Sequence, residues 1–174
     1  METIEELASI NTYEEALPLL TEFVMNLRRL LKKKRTRDIR KLTTTDRNYY
    51  EIENVLSELD MHLMNASSYP WSQALLVDIL RNVDLDSITK GNYERAYADI
   101  YEMREEQEAC DACYNRLINH YPEDASILYG RLSQTWMRKD YDACYDMIKR
   151  GLQLLDSFFQ DVFGYCTGYR RTNR

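Results

Sequence analysis

Residues 91–124, GNYERAYADIYEMREEQEACDACYNRLINHYPED, and residues 125–158, ASILYGRLSQTWMRKDYDACYDMIKRGLQLLDSF, are two strings offset by 34 positions. Gln107 recurs as Tyr141, Cys110 as Cys144, Tyr114 as Ile148, Leu117 as Gly151 and Pro122 as Asp156. Each string reads as a helix, a short polar turn and a second helix. The turns are Arg104-Glu105-Glu106 and Arg138-Lys139-Asp140. Tyr121-Pro122-Glu123-Asp124 closes the first string with a helix stop and restart. A helix pair cannot bury its apolar face alone, so like pairs stack, and small side chains let the paired helices approach.

These residues resemble the tetratricopeptide repeat. In the first copy Tyr97, Ala98 and Tyr101 match the first helix of that pattern, and Cys110, Tyr114, Leu117 and Pro122 match the second. In the second copy Tyr141, Cys144, Ile148 and Gly151 match. Its first helix departs, with Leu132 where a small residue is expected, Thr135 where an aromatic is expected, and Gly130 two residues before Leu132. The resemblance covers 91–158. It implies an all-α solenoid of helical hairpins with about seven to nine helices. It also implies a scaffold or adaptor that holds a peptide or helix of a partner in a groove lined by the first helix of each repeat. The matching groove positions are Arg95, Asp99 and Glu102, then Tyr129, Ser133 and Trp136. The acids at 99 and 102 argue against a clamp for a carboxylate terminus. An apolar or basic ligand is expected instead, anchored on Tyr129 and Trp136; the competing reading packs Trp136 against the next repeat.

Working toward the N-terminus, residues 1–90 form an N-terminal helical region, either distinct from the repeats or stacked in the same superhelix as degenerate copies. Thr3 with Glu6 and Thr12 with Glu15 have capping-box spacing. Leu17, Leu20, Phe23, Val24, Leu27, Leu30 and Leu31 follow at helical intervals, and Pro18 demands either a kink or a later start. Thr43-Thr44-Thr45-Asp46 reads as the next helix start, with an apolar stripe from Tyr49 to Leu63. After a break at 66–70, Trp71–Val83 is apolar enough to be central to the core. Trp71 with Ala74, and Tyr13 with Ala16, carry the aromatic-then-small spacing of fainter repeats. Toward the C-terminus, Phe158, Phe159, Val162 and Phe163 read as a capping helix ended by Gly164 and Gly168. Arg170, Arg171 and Arg174 then make a basic tail within 159–174.

Charge is unevenly placed. Residues 1–27 hold six Glu and no Lys or Arg, whereas 28–41 hold nine basic residues and one Asp, in a chain of net charge −6. The nine are Arg28, Arg29, Lys32, Lys33, Lys34, Arg35, Arg37, Arg40 and Lys41. Such a block suits a solvated helix end whose cations meet the last carbonyls, an acidic protein partner, or phosphates of a nucleic acid. The acidic whole, with a pI near 5.1, favours the first.

The sequence offers no nucleophile paired with a base and no Gly-rich phosphate loop; His62 and His120 lie in separate helices. Cys110-Asp111-Ala112-Cys113 is formally a CxxC, but it falls inside a helix with Cys110 at the small-residue site, which reads as packing. Neither a metal nor another cofactor is expected, and neither is enzymatic activity. Fourteen Tyr suit half-wet contact surfaces, including self-association. No run of apolar residues is long enough to cross a membrane, the start METIEELASI is acidic, and the Cys lack a disulfide framework. These features together point to a cytoplasmic protein without membrane contact.

Overall fold

The computed structural model describes residues 13–42, 46–66 and 68–168. The side chains of 13, 14, 46, 47 and 157–168 are outside that description. The expected capping residues Thr3, Thr12 and Thr43–Thr45, and the basic tail, lie outside the described residues. Those residues form seven α-helices and one 3-10 turn, with no strand. The helices are α1 (Tyr13–Lys34), α2 (Asp46–Asn65), α3 (Tyr69–Asn82), α4 (Ser87–Met103), α5 (Gln107–His120), α6 (Ala125–Met137) and α7 (Tyr141–Gly168), with the 3-10 turn at Ile39–Lys41. The chain divides into two compact units, 1–113 and 114–174.

In the first unit, α1 begins at Tyr13 and passes through Pro18. Pro18 lies in the second turn, where its missing N–H forfeits a single bond to the carbonyl of Glu14. Of the stripe read from the sequence, Leu20, Phe23, Val24, Leu27 and Leu31 are buried with Ala16, whereas Leu17 is half-buried and Leu30 is exposed. α1 stops where Arg35 takes a left-handed conformation (φ 52°). The Arg35 N–H then reaches Lys32 O and the Thr36 N–H reaches Leu31 O, each at 3.1 Å. That is a Schellman closure, which satisfies carbonyls the helix leaves open.

Pro70 sits in the first turn of α3, where a missing N–H costs nothing. α3 buries Ser72, Leu75, Leu76 and Ile79, so it is central to the core as its composition implied. α2 packs against α1, α3 and α4, and α3 packs against α1 and α4. The fully buried Tyr93 of α4 donates its hydroxyl to Leu56 O of α2 at 2.7 Å. A buried phenol needs such a partner, and this bond fixes where α4 crosses α2.

The boundary read at 90/91 falls inside α4. α4 starts at Ser87, capped by Asp86, and its Tyr93, Ala96 and Ile100 complete the N-terminal core. The compact units part between Cys113 and Tyr114, inside α5. The sequence period marks local hairpins, whereas compactness follows buried side chains.

In the second unit, α6 and α7 form a packed pair. Asp124 caps α6 by accepting from the Ser126 N–H. Thr135, the residue out of keeping with the repeat pattern, is buried and holds the pair together. The Cys144 thiol donates to its hydroxyl at 3.2 Å, and that hydroxyl lies within bonding reach of Arg131 O and Leu132 O. α7 runs unbroken through Gly164 to Gly168, so among the described residues no separate capping helix follows residue 158. One glycine costs a helix interior only about 1 kcal/mol, too little to stop it without a proline or a cap.

Candidate interaction surfaces

The two hairpin turns are superimposable in their hydrogen bonds. Glu105 and Lys139, 34 residues apart, are both left-handed, with φ 62° and 61°. Glu105 N–H bonds Glu102 O and Glu106 N–H bonds Tyr101 O, each at 2.9 Å. Lys139 N–H bonds Trp136 O at 3.0 Å and Asp140 N–H bonds Thr135 O at 2.9 Å. The next helix opens in the same way in both, Cys110 N–H to Glu106 O and Cys144 N–H to Asp140 O. The helices on either side of each turn end at Met103 and Met137 and begin at Gln107 and Tyr141, again 34 apart. The first helices differ: α6 starts one turn late relative to α4.

The six expected groove residues fall three in each unit. In the first, Arg95 and Glu102 are half-buried and Asp99 is buried. Arg95 is near enough to the buried Asp60 carboxyl to pull its pKa down. Burial outweighs that pull and leaves Asp60 above the ordinary carboxylate value of 3.8. In the second unit, Tyr129 and Trp136 are exposed and Ser133 is half-buried. Trp136 lies edge-on to Tyr141 across the turn, with centroids 5.9 Å apart.

α6 and α7 leave an apolar trough between them, a cavity of about 350 Å³. Tyr129, Leu132, Met147, Ile148, Gly151 and Leu155 are among its walls. Only Tyr129 of these belonged to the expected groove. The others are legible in part, since Ile148 and Gly151 match the repeat pattern of the second helix. α7 supplies two apolar rows one residue apart. Cys144, Met147, Gly151 and Leu154 are buried or half-buried, while Tyr141, Tyr145, Ile148, Leu152 and Leu155 are 49–67% exposed. Isolated surface apolars are ordinary, but a continuous row with two aromatic rings is the kind of patch that marks contact sites.

The basic block occupies the last two turns of α1 and the segment after it, as its position in the sequence implied. Its charges are partly spent within the first unit. Arg28 bonds Asp78 of α3 at 2.9 Å. Arg37 donates to Leu80 O and Val83 O and pairs with Asp84 at 3.1 Å. It thus meets the open carbonyls of α3, a helix other than the one that carries the block. Arg40 lies over the Tyr49 ring, 5.8 Å from its centroid. Arg28, Lys32, Arg35 and Arg37 border one open groove of about 640 Å³, with Asp84 on its rim.

Cys110 and Cys144 are buried cysteines and Cys113 is a half-buried one. The thiols at 110 and 144 hold the small-residue sites of their hairpins. No helix among the described residues is long and apolar enough to cross a membrane. No protein-family model matches the chain, and no curated protein or solved structure is detectably similar to it.

Proposed function

We propose that this chain is a non-enzymatic protein-interaction scaffold, a tetratricopeptide-like adaptor of the cytoplasm whose C-terminal hairpin receives an apolar helix of another chain. The observation that carries the reading is the exposed trough between α6 and α7, walled by Tyr129, Leu132, Ile148 and Leu155. The matching turns at 104–106 and 138–140 support the repeat resemblance, because a shared local geometry at the family's period is what repeated hairpins require. Helices bound in grooves are held by apolar side chains at three- and four-residue spacing, with aromatic anchors supplying much of the energy. Trp136 and Tyr129 are suited to that role because both are exposed.

The test is affinity capture with the full chain beside two variants, Ile148→Glu and Trp136→Ala. A partner retained by the parent and lost by both variants, with unchanged helix content, supports the reading. Unfolding of the Trp136→Ala protein would show that the ring is a packing residue. Equal capture by all three proteins would move the interaction away from this face.

A second reading rests on the groove bordered by Arg28, Lys32, Arg35 and Arg37. Four cations around one opening suit the phosphates of a nucleic acid or an acidic protein segment. Nucleic-acid binding there would weaken steeply between about 50 and 200 mM salt. The absence of any mobility shift at low salt would end it.

A further inference from the structure

α7 carries more apolar surface than its own unit uses. Its inward row, Cys144, Met147 and Leu154, accounts for the packing against α6. The outward row, Tyr141, Tyr145, Ile148, Leu152 and Leu155, is spaced 4-3-4-3 and is exposed throughout. The sequence continues that spacing with Phe159 and Val162, in a helix that runs to Gly168. A 3.5-residue period sustained over this length belongs to a helix seam that faces another helix lengthwise. A lone surface helix needs only a single row, and polar positions elsewhere.

Two features say what the second helix is. The flank beside the row carries Asp142, Lys149 and Asp156 at seven-residue spacing, alternating in sign and exposed. An antiparallel copy of α7 that sets Leu152 against Leu155 of the second copy also brings Lys149 beside Asp156 of that copy. Two-fold symmetry makes the pair twice. A parallel, in-register copy would set this flank against the side that holds Cys144 and Gly151, with no charge to meet. Gly151 is the other feature. It is a mid-helix glycine, unfavourable there relative to alanine, yet an added Cβ would meet nothing within 4 Å. Nothing within the described chain requires its smallness, whereas a closely approaching helix does.

We propose that the seam of α7 pairs antiparallel with α7 of a second copy, forming a two-fold symmetric dimer centred near Gln153 and Leu154. This rests on the reading of the C-terminal face as an interaction surface and names its occupant.

Sedimentation of the full chain over about two decades of micromolar concentration tests the pairing, since a dimer responds to mass action. The expected result is a concentration-dependent rise from 20.8 kDa toward twice that mass. Leu152→Glu should abolish the rise, with far-UV circular dichroism unchanged because Leu152 is exposed in the single chain. A parent protein that stays monomeric, or a Leu152→Glu protein that still dimerises, overturns the proposal. The orientation is tested by charge exchange at exposed positions. Lys149→Glu and Asp156→Lys should each weaken association by about fivefold or more, and the double variant should restore it. Failure of the double variant to restore it overturns the antiparallel register. A monomeric parent that still captures an Ile148-dependent partner sinks the dimer alone; one that captures none sinks the adaptor reading as well.

Discussion

α5 and α7 follow the same turn, yet they treat equivalent side chains in opposite ways. Tyr114 and Ile118 of α5 are buried, and their counterparts 34 residues on, Ile148 and Leu152 of α7, are exposed. Within the second unit, the Arg131 guanidinium lies over the Tyr114 ring and Arg150 reaches Ile118 O. Tyr114 and Ile118 thus have neighbours in α6 and α7, whereas Ile148 and Leu152 keep about half of their surface open. An apolar stripe is therefore a demand for a neighbour, and equivalent positions of the two hairpins meet it differently. The adaptor and dimer readings both rest on that unmet demand.

The largest effect that bears on this contrast comes from truncating equivalent residues. Tyr114→Ala should cost about 3–5 kcal/mol of folding stability through a lost ring and the cavity it leaves. Ile148→Ala should change the stability of the single chain by less than about 1 kcal/mol, because the side chain is half in water already. Denaturant unfolding at low protein concentration measures both, and equal losses would erase the distinction between the two helices.

The helix starts sharpen the comparison at a smaller scale. Asp86 accepts from the Ile88 and Thr89 N–H groups and from the Thr89 hydroxyl, whereas Asp124 accepts from the Ser126 N–H and hydroxyl. Asp86→Ala should cost about 1 kcal/mol and Asp124→Ala somewhat less. The cap also sets a pH dependence. Hydrogen bonds from Thr89 hold the Asp86 carboxyl below its ordinary 3.8. The folded state then binds fewer protons than the unfolded one near that value. The contribution of the cap is full above pH 3.8 and is lost as pH falls through the lowered folded pKa. Acid unfolding of the Asp86→Ala protein should accordingly lose part of its slope below pH 3.8.

Gly151→Ala should stabilise the single chain by about 0.5–1 kcal/mol, since helix propensity rises and no neighbour resists the new methyl. Leu117, the counterpart in α5, is buried, so Leu117→Ala should instead cost about 2–5 kcal/mol. Thermal unfolding of the two variants should move in opposite directions. A Gly151→Ala protein that is less stable would show a close neighbour at that site in the single chain.

The smallest effect concerns what the hairpins share. Glu105 and Lys139 both hold left-handed conformations that glycine adopts without strain. Glu105→Gly and Lys139→Gly should each raise stability by roughly 0.5 kcal/mol, the relief of strain exceeding the added freedom of the unfolded chain. Unequal responses in thermal unfolding would mean that the turns are alike in hydrogen bonding but not in strain.

The sequence by itself determined most of the helices, their order and the two turns. Those features depend on side chains within a few residues of one another: Asp86 and Asp124 as caps, Pro70 in a first turn, and bonds from residues 105–106 and 139–140 back to the preceding helices. Local hydrogen bonds and apolar spacing are written in the order of residues, so the 34-residue period was readable. Of the residues read as groove positions, Tyr129 lines the α6/α7 trough and Trp136 is exposed. Tertiary structure alone decided the rest. It drew α4 into the N-terminal core through the Tyr93–Leu56 bond, buried Asp99, and turned Arg37 to the end of α3. It also left the Ile148–Leu155 row of α7 open while covering Tyr114 and Ile118. Burial depends on which elements meet in space across dozens of residues, and no local pattern distinguishes an apolar stripe that finds a neighbour from one that is left facing water.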